Sequence, residues 1–248
     1  MEPSLSNGKD MMAGSLQVQT PRDAATIIIV DDNGSELRVL MGRRRRDQVF
    51  LPGKFVFPGG RVDATDAKAE SADELHEREV LKLLYRTGGQ PSRTFARSIA
   101  LAGIREVFEE TGIVIGQKTG VINNPALTGW QEFFNTGYRP ALSGLRFFAR
   151  AVTPPGLPRR YDTRFFCVPS RSIGLDTGQC DGELEDIGWY TISEACLLDL
   201  IPVTRLVLDD LKTQIAGVDT GATSCSVTYY TPQNGALLRE EVDVKEAS

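Results

Sequence analysis

The stretch Arg105-Glu106-Val107-Phe108-Glu109-Glu110-Thr111-Gly112-Ile113 decides how this chain is interpreted. Apolar residues at helical spacing lead into it from about Ser98, and Gly112 stands where a glycine commonly ends a helix. The pattern therefore predicts a helix that begins near Ser98 and ends at Gly112. Its three glutamates would lie along one side, because side chains three and four positions apart are neighbours on a helix.

Stability alone does not explain why Glu106, Glu109 and Glu110 stand together. Like charges at this spacing cost roughly a few tenths of a kcal/mol each, and the helix dipole disfavours anions near the C-terminal end. Mg²⁺ or Mn²⁺ would reverse this balance, because hard cations prefer carboxylate oxygens and can join them to substrate phosphates. The alternative is a solvated acidic face of a helix, which is how most runs of charge are used.

The composition is that of an ordinary globular protein. The chain has 248 residues, of which 41% are apolar and 25% charged. Its longest apolar run, residues 24–30, is too short to cross a bilayer, and the N-terminus lacks the pattern of a secretory signal. We therefore expect a cytoplasmic protein whose cysteines, which lack metal-ligand spacing, are reduced thiols. The net charge of −5 disfavours a nucleic-acid partner.

The predicted elements alternate irregularly between strands and helices. Strands are predicted at residues 24–30, 37–41, 55–57, 144–152, 162–168 and 187–190, and further helices at residues 67–86, 126–135 and after Pro202. Residues 1–22 are predicted to be a disordered leader, and residues 217–248 a C-terminal extension with a hairpin at residues 233–235. The mixed order predicts an α/β fold, in which helices cover both faces of a mixed central sheet.

The acidic helix and the earlier turn Phe57-Pro58-Gly59-Gly60 together resemble the Nudix box. Residues 105–113 match the second half of the box at every fixed position, and Gly60 matches the box glycine. Asp66 stands where the family has its first glutamate. The resemblance implies that residues 23–216 form a Nudix domain, a Nudix-type α/β/α sandwich in which the box helix carries a divalent metal site.

An insertion interrupts the box. Residues 67–104 separate Asp66 from Arg105 where the family has a spacer of about seven residues, so we interpret residues 67–97 as a helical insertion. A box interrupted in this way is similar to the Nudix branch that includes the peroxisomal coenzyme A diphosphatase. The segment at residues 159–166 is also similar to that branch.

The resemblance implies roles for individual acidic residues. The metal ligands would be Glu106, Glu109 and Glu110, with the backbone carbonyl of Gly60. Arg105 would orient the glutamates, and Glu109 would take part in catalysis. A further acid from a distant loop would act as general base or extra ligand. Glu183 is predicted for this role and Glu185 is its rival, while a solvated turn is the alternative for both.

Several arginines are predicted to capture substrate phosphates, because a guanidinium presents a bidentate fork to them. These residues are Arg43, Arg44, Arg46, Arg160 and Arg164. The alternatives are a solvated basic loop at residues 43–46, and ion pairs with nearby acids for the later two. Trp130 and the phenylalanines that follow it are predicted to pack in the core rather than to stack on a base.

The predicted function is metal-dependent hydrolysis of a diphosphate linkage in a nucleoside-diphosphate-type substrate. Coenzyme A or an acyl-CoA is the first expected substrate, and NADH, ADP-ribose or a nucleotide sugar are alternatives. A Nudix module that binds a nucleotide without hydrolysing it is a further alternative, although the three retained box glutamates favour an enzyme. The expected partner is this small molecule, with neither nucleic acid nor membrane, and a homodimer stays open.

Overall fold

The apolar run at residues 24–30 forms the middle of the central strand β1 (Arg22–Asp31), as predicted. Ile27, Ile28 and Ile29 are all fully buried, because successive side chains point to opposite faces and both faces are covered. Ile27 and Ile29 pack in one apolar core, and Ile28 packs in a second. β1 therefore lies in the middle layer of three.

The computed structural model describes residues 19–88, 92–120, 127–218, 226–233 and 236–244. The other strands are β2 (Arg38–Arg44), β3 (Phe55–Val56), β4 (Gly59–Arg61), β5 (Ile113–Lys118), β6 (Tyr138–Pro140), β7 (Arg146–Val152), β8 (Tyr161–Pro169), β9 (Ile173–Asp176), β10 (Leu184–Thr191), β11 (Ser226–Gln233) and β12 (Ala236–Asp243). The helices are α1 (Glu77–Leu84), α2 (Arg93–Thr111), α3 (Gln131–Asn135), α4 (Ile192–Ala195) and α5 (Pro202–Val218). Within these ranges, no helix is both long enough and apolar enough to span a bilayer.

A nine-stranded sheet forms the middle layer, in the order β10-β2-β1-β8-β7-β11-β12, with β3 beside β2 and β4 beside β1. β1 is antiparallel to β2 and β4 but parallel to β8, so the sheet is mixed. Residues of α1, α2 and α3 belong to one core, and residues of α4 and α5 to the other. The predicted α/β sandwich with a mixed central sheet is confirmed.

The helix predicted at residues 67–86 is much shorter, since α1 begins only at Glu77. Residues 66–68 form a short 3₁₀ turn, and the residues between it and α1 are held in irregular structure by contacts with the end of β6 and the loop after it. The carboxylate of Asp73 accepts from the N–H groups of Leu142 and Ser143, and the N–H of Ala72 donates to the carbonyl of Pro140 at 2.8 Å. The main-chain N–H of Ala72 therefore donates to a distant strand and not within a helix.

Helix α2 begins at Arg93, so the predicted start near Ser98 is wrong. Ser92 is the N-cap residue, and its hydroxyl accepts from the N–H of Phe95 at 3.1 Å. Ser98 lies inside the helix, where its hydroxyl donates to the carbonyl of Phe95 at 2.8 Å. The third predicted helix is represented by α3 alone, and residues 121–126 lie outside the described residues.

The C-terminal segment forms the predicted hairpin of β11 and β12, in which Gln233 pairs with Ala236. Its turn, residues 234–235, lies outside the described residues. β11 also runs parallel to β7, so the hairpin extends the main sheet. At the other end β1 begins at Arg22, the last residue of the predicted leader, and residues 1–18 lie outside the described residues.

Candidate active site

A glycine ends the helix that carries the acidic residues. Gly112 has a φ of 75°, and its N–H donates to the carbonyl of Phe108 at 2.8 Å, which is the left-handed cap that glycine adopts without steric cost. A Cβ at this position would lie 2.4 Å from the carbonyl oxygen of Gln179. The predicted end of the helix is confirmed, and the glutamates occupy its last turns.

Arg105 connects the glutamates to the first half of the box. Its Nη1 donates to Glu106 Oε1 at 2.9 Å and to Glu109 Oε2 at 3.0 Å. Its Nε and Nη2 donate to the carboxylate of Asp66 at 2.8 and 3.2 Å, and Nη2 also donates to the carbonyl of Arg61. Because Arg105 is buried, these contacts hold both glutamate side chains in defined orientations.

Asp66 anchors this network, a role that the sequence analysis missed. It is fully buried, and besides Arg105 it accepts from the indole N–H of Trp130 at 3.0 Å and the N–H of Asp63 at 2.7 Å. Trp130 is buried as predicted, and its polar N–H is satisfied by this carboxylate. The match of Asp66 to an acidic box position was the only signal in the sequence.

The glycine turn brings backbone close to the glutamates. The N–H of Gly59 donates to Glu110 Oε2 at 2.9 Å. A Cβ on Gly60 would lie 2.4 Å from the carboxylate carbon of Glu106, so any other residue at position 60 would displace the Glu106 carboxylate from its present position. The structure thus places Gly60 directly beside the predicted metal ligands.

Burial makes the three glutamates unfavourable as anions. It raises the pKa of Glu106 to about 7, although the charge of Arg105 acts in the opposite direction. Burial also raises the pKa of Glu109, and it raises that of Glu110 well above the usual range, where the charge of Glu106 adds to the effect. A nearby divalent cation would favour the ionised form of all three.

The donor set fits a hard divalent cation in its chemistry, since it combines carboxylate oxygens with a backbone carbonyl. Among the described residues, however, no three acidic, histidine or cysteine side chains converge on one point. Arg105 holds Glu106 and Glu109, while the N–H of Gly59 holds Glu110. Coordination would therefore require small rotations of these side chains away from their protein donors.

A turn at residues 181–183 brings two more acids to the helix. The N–H of Asp181 donates to the carbonyl of Glu109 at 2.8 Å, and the N–H of Glu183 donates to Asp181 Oδ1 at 2.8 Å. Burial is the main cause of the raised pKa values of Glu109 and Glu106. The negative charge of Asp181 raises the pKa of Glu109 further, and that of Glu183 raises the pKa of Glu106 further. The predicted acid Glu183 lies near the glutamates, and so does Asp181, which the sequence analysis did not name.

The rival acid Glu185 is directed elsewhere. It pairs with Nη2 of Arg43 at 3.1 Å, and Asp186 accepts from Nε of the same arginine at 2.7 Å. Arg43 is therefore already paired with two acids of β10, whereas Arg46 is exposed in the loop after β2.

Two further arginines that were predicted to bind substrate phosphates, Arg160 and Arg164, contact other groups of the protein. Arg164 is 1% exposed and pairs with Asp23 and Asp162, and Arg160 donates to backbone carbonyls, including that of Thr153. The guanidinium of Arg164 is used within the fold because it projects from β8, a central strand, whereas that of Arg160, just before β8, donates to the carbonyls of Thr153 and Gln19. We therefore withdraw both from the candidate site.

An open groove with a volume of about 420 Å³ lies beside the acidic turn. Arg44 lines it, donates from Nε to the carbonyl of Phe50 at 3.0 Å, and through its charge partly offsets the raised pKa of Glu110. Arg159, the neighbour of the predicted Arg160, also lines the groove, together with Val49, which is 73% exposed. The groove therefore combines guanidinium groups with accessible apolar surface.

Comparison with known proteins gives the following relatives. No family model matches the chain. The chain is 31% identical over 187 residues to the protein named "Putative nudix hydrolase 7" of Caenorhabditis elegans; the match covers 70% of this chain and 52% of that relative, so the chain spans about half its length. The crystal structure of a NUDIX hydrolase from Alicyclobacillus acidocaldarius is similar, with a TM-score of 0.56 and 24% identity over 79% of this chain and 96% of that one. The fold is therefore the Nudix fold, and the chain is similar in sequence to a protein named as a nudix hydrolase.

Proposed function

We propose that this protein hydrolyses a diphosphate linkage in a nucleoside-diphosphate-type substrate, with Mg²⁺ or Mn²⁺ as the metal. The observation that carries the proposal is the group of carboxylates around a single buried guanidinium. Asp66 and the three glutamates outnumber Arg105, and burial raises the pKa of each glutamate. A divalent cation would neutralise this excess negative charge and link it to an anionic substrate.

In the proposed mechanism the metal ligands are Glu106, Glu109, Glu110 and the carbonyl of Gly60. When bound, the metal polarises a phosphoryl oxygen and lowers the pKa of coordinated water. Arg105, which contacts both Glu106 and Glu109, would limit how far the two carboxylates turn when the metal binds. An acid of the 181–183 turn, Glu183 or Asp181, would accept a proton from the water as its oxygen bonds to one phosphorus. The bond from that phosphorus to the bridging oxygen breaks, and two phosphate-bearing halves leave.

The groove is the proposed binding site for the substrate beyond the scissile diphosphate. Arg44 is suited to the diphosphate itself because it acts on buried Glu110 and also lines the groove. Arg159 offers a second guanidinium, and Val49 with Phe50 offers apolar contact. Coenzyme A or an acyl-CoA is the substrate we favour, on the resemblance of the interrupted box, and NADH, ADP-ribose or a nucleotide sugar is the alternative.

Product release with Mg²⁺ or Mn²⁺ tests the proposal across coenzyme A, acetyl-CoA, NADH, ADP-ribose and a nucleotide sugar. We expect turnover of at least one of them, a loss of about 10²-fold or more in Glu109→Gln, and unchanged turnover in the control Glu132→Gln, which alters an exposed glutamate of α3. Binding without cleavage would instead support a nucleotide-binding module. Equal turnover in Glu109→Gln and the wild type would refute the role of the acidic helix.

A further inference from the structure

We propose that Gln48 is a positioning residue that holds the acidic turn at residues 181–183 against the end of α2. The inference rests on the proposed function, because it concerns the acid that accepts the proton of the attacking water. Gln48 stands in the loop after β2, a segment to which the sequence analysis assigned only arginines. Its side chain joins that loop to the turn that carries Asp181 and Glu183.

Hydrogen bonds hold the turn from both sides. On one side, Nε2 of Gln48 donates to the carbonyl of Glu183 at 3.0 Å and to its Oε2 at 3.4 Å, and the N–H of Arg45 donates to the same carbonyl at 3.4 Å. On the other side, the N–H of Asp181 donates to the carbonyl of Glu109 at 2.8 Å. The turn is thus clamped between the loop after β2 (residues 45–54, here called the arginine loop) and the helix that carries the predicted metal ligands.

Only a donor at the end of the Gln48 side chain can make these contacts, because both of its partners on Glu183 are oxygens. The amide oxygen of Gln48 is in an unfavourable environment, because Oε1 is buried and no donor among the described residues pairs with it. A residue chosen for stability alone would avoid such an unpaired buried acceptor. The contact that this side chain supplies is therefore its donation to Glu183.

Through this clamp, the arginine loop affects the position of the acid that accepts the proton, Glu183 or Asp181. Arg44 ends β2 and Arg45 begins the loop that holds Gln48, and Arg44 lines the groove that we assign to the substrate. A displacement of the 181–183 turn by about 1 Å would be enough to reduce the rate about 10²-fold. Because Gln48 and the turn also line the groove, loss of the Gln48 contact should lower kcat by a larger factor than it raises KM.

The test compares two substitutions at position 48. Gln48→Glu places a carboxylate against the oxygens of Glu183, whereas Gln48→Lys keeps a donor and removes the unpaired acceptor. We expect kcat to fall about 10-fold to 10²-fold in Gln48→Glu and to stay within about threefold of the wild type in Gln48→Lys. Gln117→Glu is the matched control, because Gln117 donates to Asp73 at 3.0 Å on the exposed surface.

Hydrogen–deuterium exchange of the metal-free proteins provides a second measurement that does not depend on turnover. Amide exchange in a peptide covering residues 179–184 should rise in Gln48→Glu and stay at the wild-type level in Gln48→Lys and Gln117→Glu. Equal kcat in Gln48→Glu and the wild type, equal defects in both position-48 variants, or unchanged exchange would each overturn the proposal. If the wild type cleaves no substrate, the proposed function fails, and the exchange result still decides whether Gln48 holds the turn. Gln48→Met replaces Gln48→Glu if the latter does not fold, with the same expected changes.

Discussion

Replacement of Asp66 by asparagine would remove one charge from the centre of the buried network and leave its shape nearly unchanged. The carboxylate of Asp66 accepts from Arg105, from Trp130 and from the N–H of Asp63. An asparagine side chain has one acceptor oxygen and one NH₂ group, so its nitrogen would face a donor. The variant therefore loses a buried charge, and it also places two hydrogen-bond donors opposite each other with no acceptor between them.

The expected effect follows from the partners that remain. Removal of one member of a buried ion pair costs about 3–5 kcal/mol. Arg105 keeps Glu106 and Glu109 as partners, so we expect the lower end, about 3 kcal/mol in the free energy of unfolding. At about 2–4 °C per kcal/mol for a chain of this size, the melting temperature should fall by about 6–12 °C.

Urea unfolding followed by far-UV circular dichroism, in the presence of a chelator, measures this difference. The matched control is Asp63→Asn, because Asp63 Oδ2 lies 4.0 Å from Nη2 of Arg105 and its side chain is 43% exposed. The control should change the free energy of unfolding by less than about 0.5 kcal/mol. A loss below about 1 kcal/mol in Asp66→Asn, or equal losses in the two variants, would refute the assignment of Asp66 as the anchor.

Three further predictions concern the glutamates and the cysteines. Glu110→Gln should raise the melting temperature of the metal-free protein, because burial raises the pKa of Glu110 well above the usual range, and should abolish metal-dependent turnover; a lower melting temperature would contradict this. Burial raises the pKa of Glu106 to about 7, so its charge destabilises the metal-free fold progressively as the pH rises from about 4.5 through 7. Urea unfolding at pH 5 and pH 8 should therefore show a smaller loss of stability in Glu106→Gln than in the wild type, and an equal loss would count against the assignment. Burial raises the pKa of the Cys167 thiol to about 12, whereas Cys180 is exposed, so iodoacetamide at pH 8 followed by peptide mapping should find Cys180 modified and Cys167 unmodified.

The sequence predicted those elements that depend only on residues a few positions apart. The continuous apolar run of β1 is typical of a strand buried on both faces, and the glycine at position 112 ended α2 where predicted. The box spacing also predicted which carboxylates share one side of the helix. These features depend on periodicity and backbone conformation within a few residues, which a single sequence displays directly.

The errors arose where a side chain pairs with a distant segment. Asp73 accepts from N–H groups of the loop after β6, so residues that could form a helix are held outside one. Arg164 resembles a phosphate ligand by its neighbours, but its strand is central in the sheet and its partner is Asp23. Asp181 reaches Glu109 only because the turn before β10 packs against the end of α2. No local pattern carries such information.

The hydrogen bonds between Asp66 and Arg105 join positions 39 apart in the sequence. The entropic cost of closing a flexible loop grows only with the logarithm of its length. Closing this loop therefore costs about 1.4 kcal/mol more than closing the loop of about 8 positions in an uninterrupted box. Burial of Val80 and Leu83 of α1 against the same core is of the size that can offset this difference. The two halves of the box are thus tolerant of the length between them, provided that the closing contact of Asp66 with Arg105 is kept.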